Sequence, residues 1–89
     1  MINLTEQEVL VLWRVAQGDD TPESIGKSLE IKETEAKASL ANLNDLELID
    51  LKVLYDNRFQ MEYCVIHLKD KAKYFFRKYK SLIPKQGAN

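Results

Sequence analysis

The stretch IKETEAKASLANLNDLELID, residues 31–50, decides how this chain is read. Ala36, Leu40 and Leu43 recur at i, i+4 and i+7, the spacing that puts side chains on one line of a helix. A helix is expected from about Glu33 to Leu46, with that line facing a core. Glu33, Thr34, Glu35, Lys37, Ala38, Ala41 and Asn42 are left for the outside. Leu48-Ile49 then enters an extended stretch. A helix with one such seam docks against others and leaves its far side free to touch something. Two glutamates near the start of that far side are unexpected if the partner is a polyanion.

Upstream, two more helices are expected. Thr5 can cap the first, and Glu8, three residues on, can reach back to complete a capping box. Val9, Leu12, Trp13 and Ala16 share a stripe at helical spacing, and Gly18 ends the helix because glycine takes left-handed dihedrals cheaply. Asp19-Asp20 is the turn. Thr21 suits the cap of a shorter helix and Pro22 its first position, where the missing N–H costs nothing. Ile25 and Leu29 are its inward edge. Gly26 sits mid-helix at a cost of about 1 kcal/mol relative to alanine, which a close approach of another helix would explain. Glu30-Ile31-Lys32 is a tight connection with Ile31 inward.

Downstream, the period changes. Residues 50–68, DLKVLYDNRFQMEYCVIHL, alternate, with Leu51, Val53 and Tyr55 in one run and Tyr63, Val65 and His67 in the next. Asp56-Asn57 supplies turn chemistry between them, so a β-hairpin is expected. LKDKAKYFFRKYKSLI returns to the helical period, with Leu68, Ala72, Phe75, Phe76, Tyr79 and Leu82 on one side and most lysines on the other. Pro84 stops that helix. The domain is placed at residues 1–83 and a flexible tail at 84–89.

Helix, short helix, helix, hairpin, helix is the order of a winged helix-turn-helix: an α+β chain, mainly α, with a three-helix core, a hairpin wing and a C-terminal helix. Across residues 4–70 the sequence resembles prokaryotic winged helices of the multiple-antibiotic-resistance-regulator (MarR) type. LTEQEVLVLWRVAQG is similar to their first helix, and SIGKSLEIKETEAKASLANLNDLELIDL to their second and third. Ile31, Leu43 and Leu48-Ile49 stand at the hydrophobic positions of that pattern, and IHLKDKAKYF resembles the segment after the wing. The chain departs from it at Lys32 (usually a Ser or Thr cap), Glu35 and Ala38 (usually hydroxyl or basic), and Glu47 (usually glycine). It also has Lys69 and Ala72 where the pattern has a threonine and a glycine. The resemblance implies a small DNA-binding transcription regulator.

At 89 residues the chain is long enough for a single core without disulfide or metal. Its net charge of −1 hides a strong segregation. Residues 1–50 carry four basic and eleven acidic side chains; residues 69–89 carry seven basic and one acidic. Such polarity speaks to partners and assembly rather than to fold. No apolar run approaches the ~20 residues of a membrane span, and no membrane partner is expected. The start, MINLTEQEVL, lacks the features of a secretory signal, and one cysteine, Cys64, suits a reducing interior, so the expected location is the cytoplasm.

Candidate DNA-binding residues are Lys32, Thr34, Glu35, Lys37, Ala38 and Asn42 on the third helix, which would lie in the major groove, and Lys52 and Arg58 on the wing, which would meet phosphate. A glutamate can accept from cytosine N4, so Glu33 and Glu35 stay compatible with base reading. They also suit the positive end of the helix dipole, a local explanation. Tyr55 and Phe59 are expected to brace the hairpin. Phe75, Phe76 and Tyr79 are too many aromatics for an exposed helix and are candidates for a homodimer seam as well as for packing on the first helix. The alternative function is an interaction module that binds no DNA, its acidic first half docking a basic protein partner.

Catalysis finds little support. His67 is the lone histidine and sits in a strand pattern; Cys64 reads as a buried hydrophobe. No Cys/His spacing suits zinc, no glycine-rich phosphate loop is present, and neither metal nor cofactor is expected.

Overall fold

The computed structural model describes residues 3–84. The chain runs α1 (Glu6–Ala16), α2 (Pro22–Leu29), α3 (Glu33–Asp45), β1 (Ile49–Asp56), β2 (Met61–Leu68) and α4 (Ala72–Lys78), then a 3₁₀ turn at Lys80–Leu82. The two strands form one antiparallel sheet, in register from Ile49 opposite Leu68 to Asp56 opposite Met61. This is a winged helix: three packed helices, a hairpin wing and a following helix. Of the expected tail over 84–89, Pro84 is described and 85–89 lie outside the described residues.

The helix starts follow from their caps. Thr5 Oγ1 accepts the Glu8 N–H at 3.1 Å, and the Glu8 carboxylate accepts the Thr5 N–H at 2.9 Å, a complete capping box. Thr21 Oγ1 accepts the Ser24 N–H at 3.1 Å, with Pro22 at the first helical position.

The helix ends share one device. After α1, α2 and α3 a residue turns left-handed: Gly18 (φ 102°), Glu30 (φ 57°) and Glu47 (φ 63°). In each case the next N–H reaches back five residues: Asp19 to Arg14, Ile31 to Gly26 and Leu48 to Leu43. These are Schellman closures, which satisfy carbonyls that the helix leaves unpaired. Glu47 holds this conformation where the MarR-type pattern has glycine.

The core is built from Val9, Val11, Leu12, Ile25, Leu40, Leu43, Leu48 and Ile49, all below 2% exposed, with Ala36, Ile66, Ala72 and Phe75 around them. The α3 seam is as expected, with Ser39 also buried and accepting the Gln7 side-chain amide at 3.0 Å. The α1 stripe is rotated from the expected one. Val11 and Val15 are buried, Trp13 is half-buried and Ala16 is exposed. The cause is that α1 packs against α2 and α3 on one side and β2 and α4 on another, so its covered arc is wide.

Gly26 is required by its surroundings. A Cβ there would lie 3.0 Å from the Ile31 carbonyl oxygen and 3.5 Å from the Glu33 nitrogen. The close approach is by the backbone entering α3.

The last helix is shorter than its periodicity predicts. Leu68 is claimed by β2, opposite Ile49, and the Lys69 N–H continues the pairing to Leu48 O at 3.0 Å. At the other end the backbone leaves helical dihedrals at Tyr79 (φ −109°, ψ 31°). The Tyr79 hydroxyl accepts the Leu4 N–H at 3.0 Å, and its ring stacks on Phe75 with centroids 6.3 Å apart. This docking holds the chain end against the start of α1.

Candidate nucleic-acid interface

The orientation of α3 is set from three sides. At its entry, the close passage over Gly26 fixes the turn from α2. Behind that turn, Asp19 ties α1 to α2: it accepts Arg14 Nε at 2.6 Å, Ser24 Oγ at 2.9 Å and Ser28 Oγ at 3.3 Å. The Arg14 hydrogen bond is the main reason the Asp19 carboxyl is held below its ordinary range, with burial opposing it and the serine bonds adding to it. At its exit, Asn44 Oδ1 accepts the Leu51 N–H at 3.0 Å, fastening the root of the wing to α3.

The two glutamates at the start of α3 both have local partners. Lys32 occupies the N-cap and has no acceptor to offer, but its backbone N–H donates to Glu35 Oε1 at 3.1 Å. Half of a capping box is therefore in place, supplied from Glu35 alone. Glu33 pairs with Lys37 at 3.1 Å, one turn on, with side chains 51% and 60% exposed. At that exposure such a pair contributes only a few tenths of a kcal/mol. The acidic start of the helix is thus explained by the helix itself.

What remains outward is small and nearly neutral. Thr34, Ala38 and Ala41 lie opposite the Ala36–Leu40–Leu43 seam, given about 100° per residue, and all three are exposed. No other element of the described chain covers them. Asn42 is exposed but flanks this line toward α1, and its amide donates to the Glu8 carboxylate. Lys32 is exposed beside the helix start.

The wing places Lys52 on its exposed middle, opposite Val65, and Arg58 at its tip. The tip is a four-residue loop, Asn57–Gln60, longer than the expected Asp56-Asn57 turn, with Gln60 left-handed at φ 51°. Asp56 Oδ1 accepts the Arg58 N–H at 2.9 Å and organises the loop. The Arg58 guanidinium folds back on the same carboxylate, with Nη2 3.3 Å from Oδ2, and lies 5.6 Å from the Phe59 ring centroid. It is still 83% exposed, so the pair is weak and open to exchange for a phosphate.

Sequence reasoning missed the character of the wing surface. Tyr55 and Phe59 do not brace the hairpin: they are 55% and 67% exposed. Val53, Leu54, Met61 and Tyr63 are also exposed. The alternation was visible, but which strand residues lie beyond the end of the core was not. His67 is exposed opposite Asp50, and Cys64 is half-buried opposite Val53.

The three aromatics expected at a seam are not equivalent. Phe75 is 4% exposed and belongs to its own chain's core. Phe76 and Tyr79 are half-buried, and Tyr79 is anchored to Leu4. The lysines of α4 find local partners in part: Lys71 donates to Leu46 O at 3.4 Å and Lys73 lies 3.6 Å from Asp70.

Two solved structures share this arrangement of elements. One is Lactococcus lactis ZitR, a zinc-responsive MarR family member, with a TM-score of 0.71 and 22% identity over 90% of this chain and 54% of that one. The second is a glutamate-to-alanine mutant of ZitR, with a TM-score of 0.69 and 21% identity over 90% and 53%. The fold is a MarR-type winged helix. At these identities the likeness is one of fold, and this chain spans about half the length of the proteins it matches. No family model matches the sequence, and no curated protein matches it. Among the described residues no three His, Cys, Asp or Glu side chains gather as a metal site, and no helix is long and apolar enough to cross a membrane.

Proposed function

We propose that this MarR-type winged helix is a cytoplasmic, DNA-binding transcription regulator that acts as a homodimer. The supporting observation is the uncovered outer line of α3, held rigidly beside a projecting hairpin. Thr34, Lys37, Ala38 and Asn42 would meet base edges, with Glu35 completing the helix start and able to accept from a cytosine amine. Lys32, Lys52 and Arg58 would hold phosphates. A two-fold dimer would present two such helices to successive grooves.

So few cations predict weak binding with a shallow salt dependence, a slope of roughly 0.9 per neutralised phosphate. Fluorescence anisotropy with random duplex at low ionic strength tests this. Binding that weakens in Arg58→Glu and Lys37→Glu supports the reading and the assignments. Silence at tens of micromolar duplex removes it.

One observation favours the second reading, an interaction module without DNA. The wing exposes Val53, Leu54, Tyr55, Phe59, Met61 and Tyr63, a surface more apolar than phosphate contact calls for. Loss of duplex binding together with retained fold would favour it.

A further inference from the structure

The side of α1 turned away from the core bears two open grooves that adjoin. The first, about 300 Å³, is lined by Glu6, Gln7, Leu10, Leu29 and Ile31. The second, about 660 Å³, is lined by Trp13, Phe76, Arg77, Lys80, Ser81, Ile83 and Pro84. Leu10 and Trp13 stand one turn apart on α1, so the grooves meet there. Both have apolar floors made of half-buried side chains. Their rims differ in sign: Glu6 on the first, Arg77 and Lys80 on the second. Among the described residues none of these three charges has an ion-pair partner within the chain.

We propose that this face docks on the same face of a second copy, about a two-fold axis passing between Leu10 and Trp13. An isologous contact brings each patch onto its symmetry-related counterpart. Two grooves of opposite sign on either side of the axis are self-complementary: each acidic-rimmed groove covers the partner copy's basic-rimmed one. The apolar floors are buried together, and the rim charges fix the orientation. The contact also uses the charge segregation between residues 1–50 and 69–89, which the fold of one chain leaves unneutralised at these positions. Neither groove includes Thr34, Ala38 or Ala41, so the dimer leaves the outer line of α3 open.

The inference rests on the homodimer proposed above and names its face. The test is sedimentation equilibrium of the full chain over a concentration series, at low and high salt. The variants are Glu6→Lys, Lys80→Glu and the two together, each checked for fold by circular dichroism. The parent is expected to dimerise, more weakly in high salt. Each single reversal is expected to raise the dimer dissociation constant about tenfold or more, because like charges then face each other twice per dimer. The double swap is expected to recover most of that loss, since it recreates opposite pairs with the signs exchanged. A parent that dimerises equally well in all three variants overturns this face and leaves the homodimer standing. A parent that stays monomeric throughout overturns both.

Discussion

The outer line of α3 and the outer half of the hairpin are both uncovered, yet they are built on opposite terms. α3 is sealed along Ala36, Leu40 and Leu43, capped at its start, closed by a Schellman turn and tied to β1 through Asn44. It presents small side chains whose neighbouring charges are spent locally. The hairpin is anchored only at its root, where Ile49 and Ile66 are buried. Beyond Leu51 it projects large apolar side chains with nothing behind them but the paired strand. A two-stranded ribbon is marginal on its own, so the outer wing depends on its root. A rigid element suited to reading is thus placed beside a compliant one suited to reaching.

That contrast can be tested by cutting each region in turn. Leu40→Ala opens a cavity under α3 and is expected to cost about 2–5 kcal/mol in urea unfolding. Val53→Ala on the wing, at 60% exposure, is expected to change stability by no more than about 0.5 kcal/mol. Comparable losses at the two sites would erase the distinction.

The two arginine–aspartate pairs sharpen it. Asp19, with its side chain 16% exposed, receives Arg14 and two serines, and Asp19→Ala is expected to cost about 1–2 kcal/mol. Asp56→Ala is expected to cost less, about 0.5 kcal/mol, mostly through the loop hydrogen bond to the Arg58 N–H. The pH dependence follows from the lowered Asp19 pKa. Its contribution is fully present above the ordinary carboxylate value of 3.8 and is lost as pH falls through the lower folded-state value. Unfolding measured from neutral pH downward should therefore show a loss of stability in acid that is shallower in Asp19→Asn.

The smallest effect has the opposite sign. Glu47 holds φ 63° at the C-terminus of α3, and Glu47→Gly is expected to stabilise the chain by up to about 1 kcal/mol, read as a raised Tm. Gln60→Gly, in the loop of the wing, is expected to give less, because the outer ribbon opens before the core does.

How much of this was legible depends on how local each cause is. The starts of α1 and α2 were readable because their caps lie within four residues: Thr5 with Glu8, and Thr21 with Ser24. The α3 seam was readable because only one line of it is apolar. The buried arc of α1 was not, since Val11 and Val15 are covered by elements far along the chain. Leu68 and Ala72 share helical spacing, but the pairing of Leu68 with Ile49 decides its state, and no periodicity shows that. At the candidate site, the exposed positions on α3 followed from the helical period. The contacts that occupy them, Asn42 with Glu8 above all, depend on how α1 crosses α3. The exposed wing was hidden for the same reason: alternation gives the face of a strand residue but not its distance from the core.

The most direct test of the central claim, that the outer line of α3 meets DNA, is duplex binding by Ala38→Glu beside the parent at low salt. Ala38 is exposed and packs on nothing, so the substitution should leave the melting temperature unchanged. A groove-reading α3 requires its affinity to fall by about tenfold or more, as a carboxylate is pressed toward base edges and phosphates. Equal binding by the two proteins would place the contact elsewhere on the molecule and contradict the account.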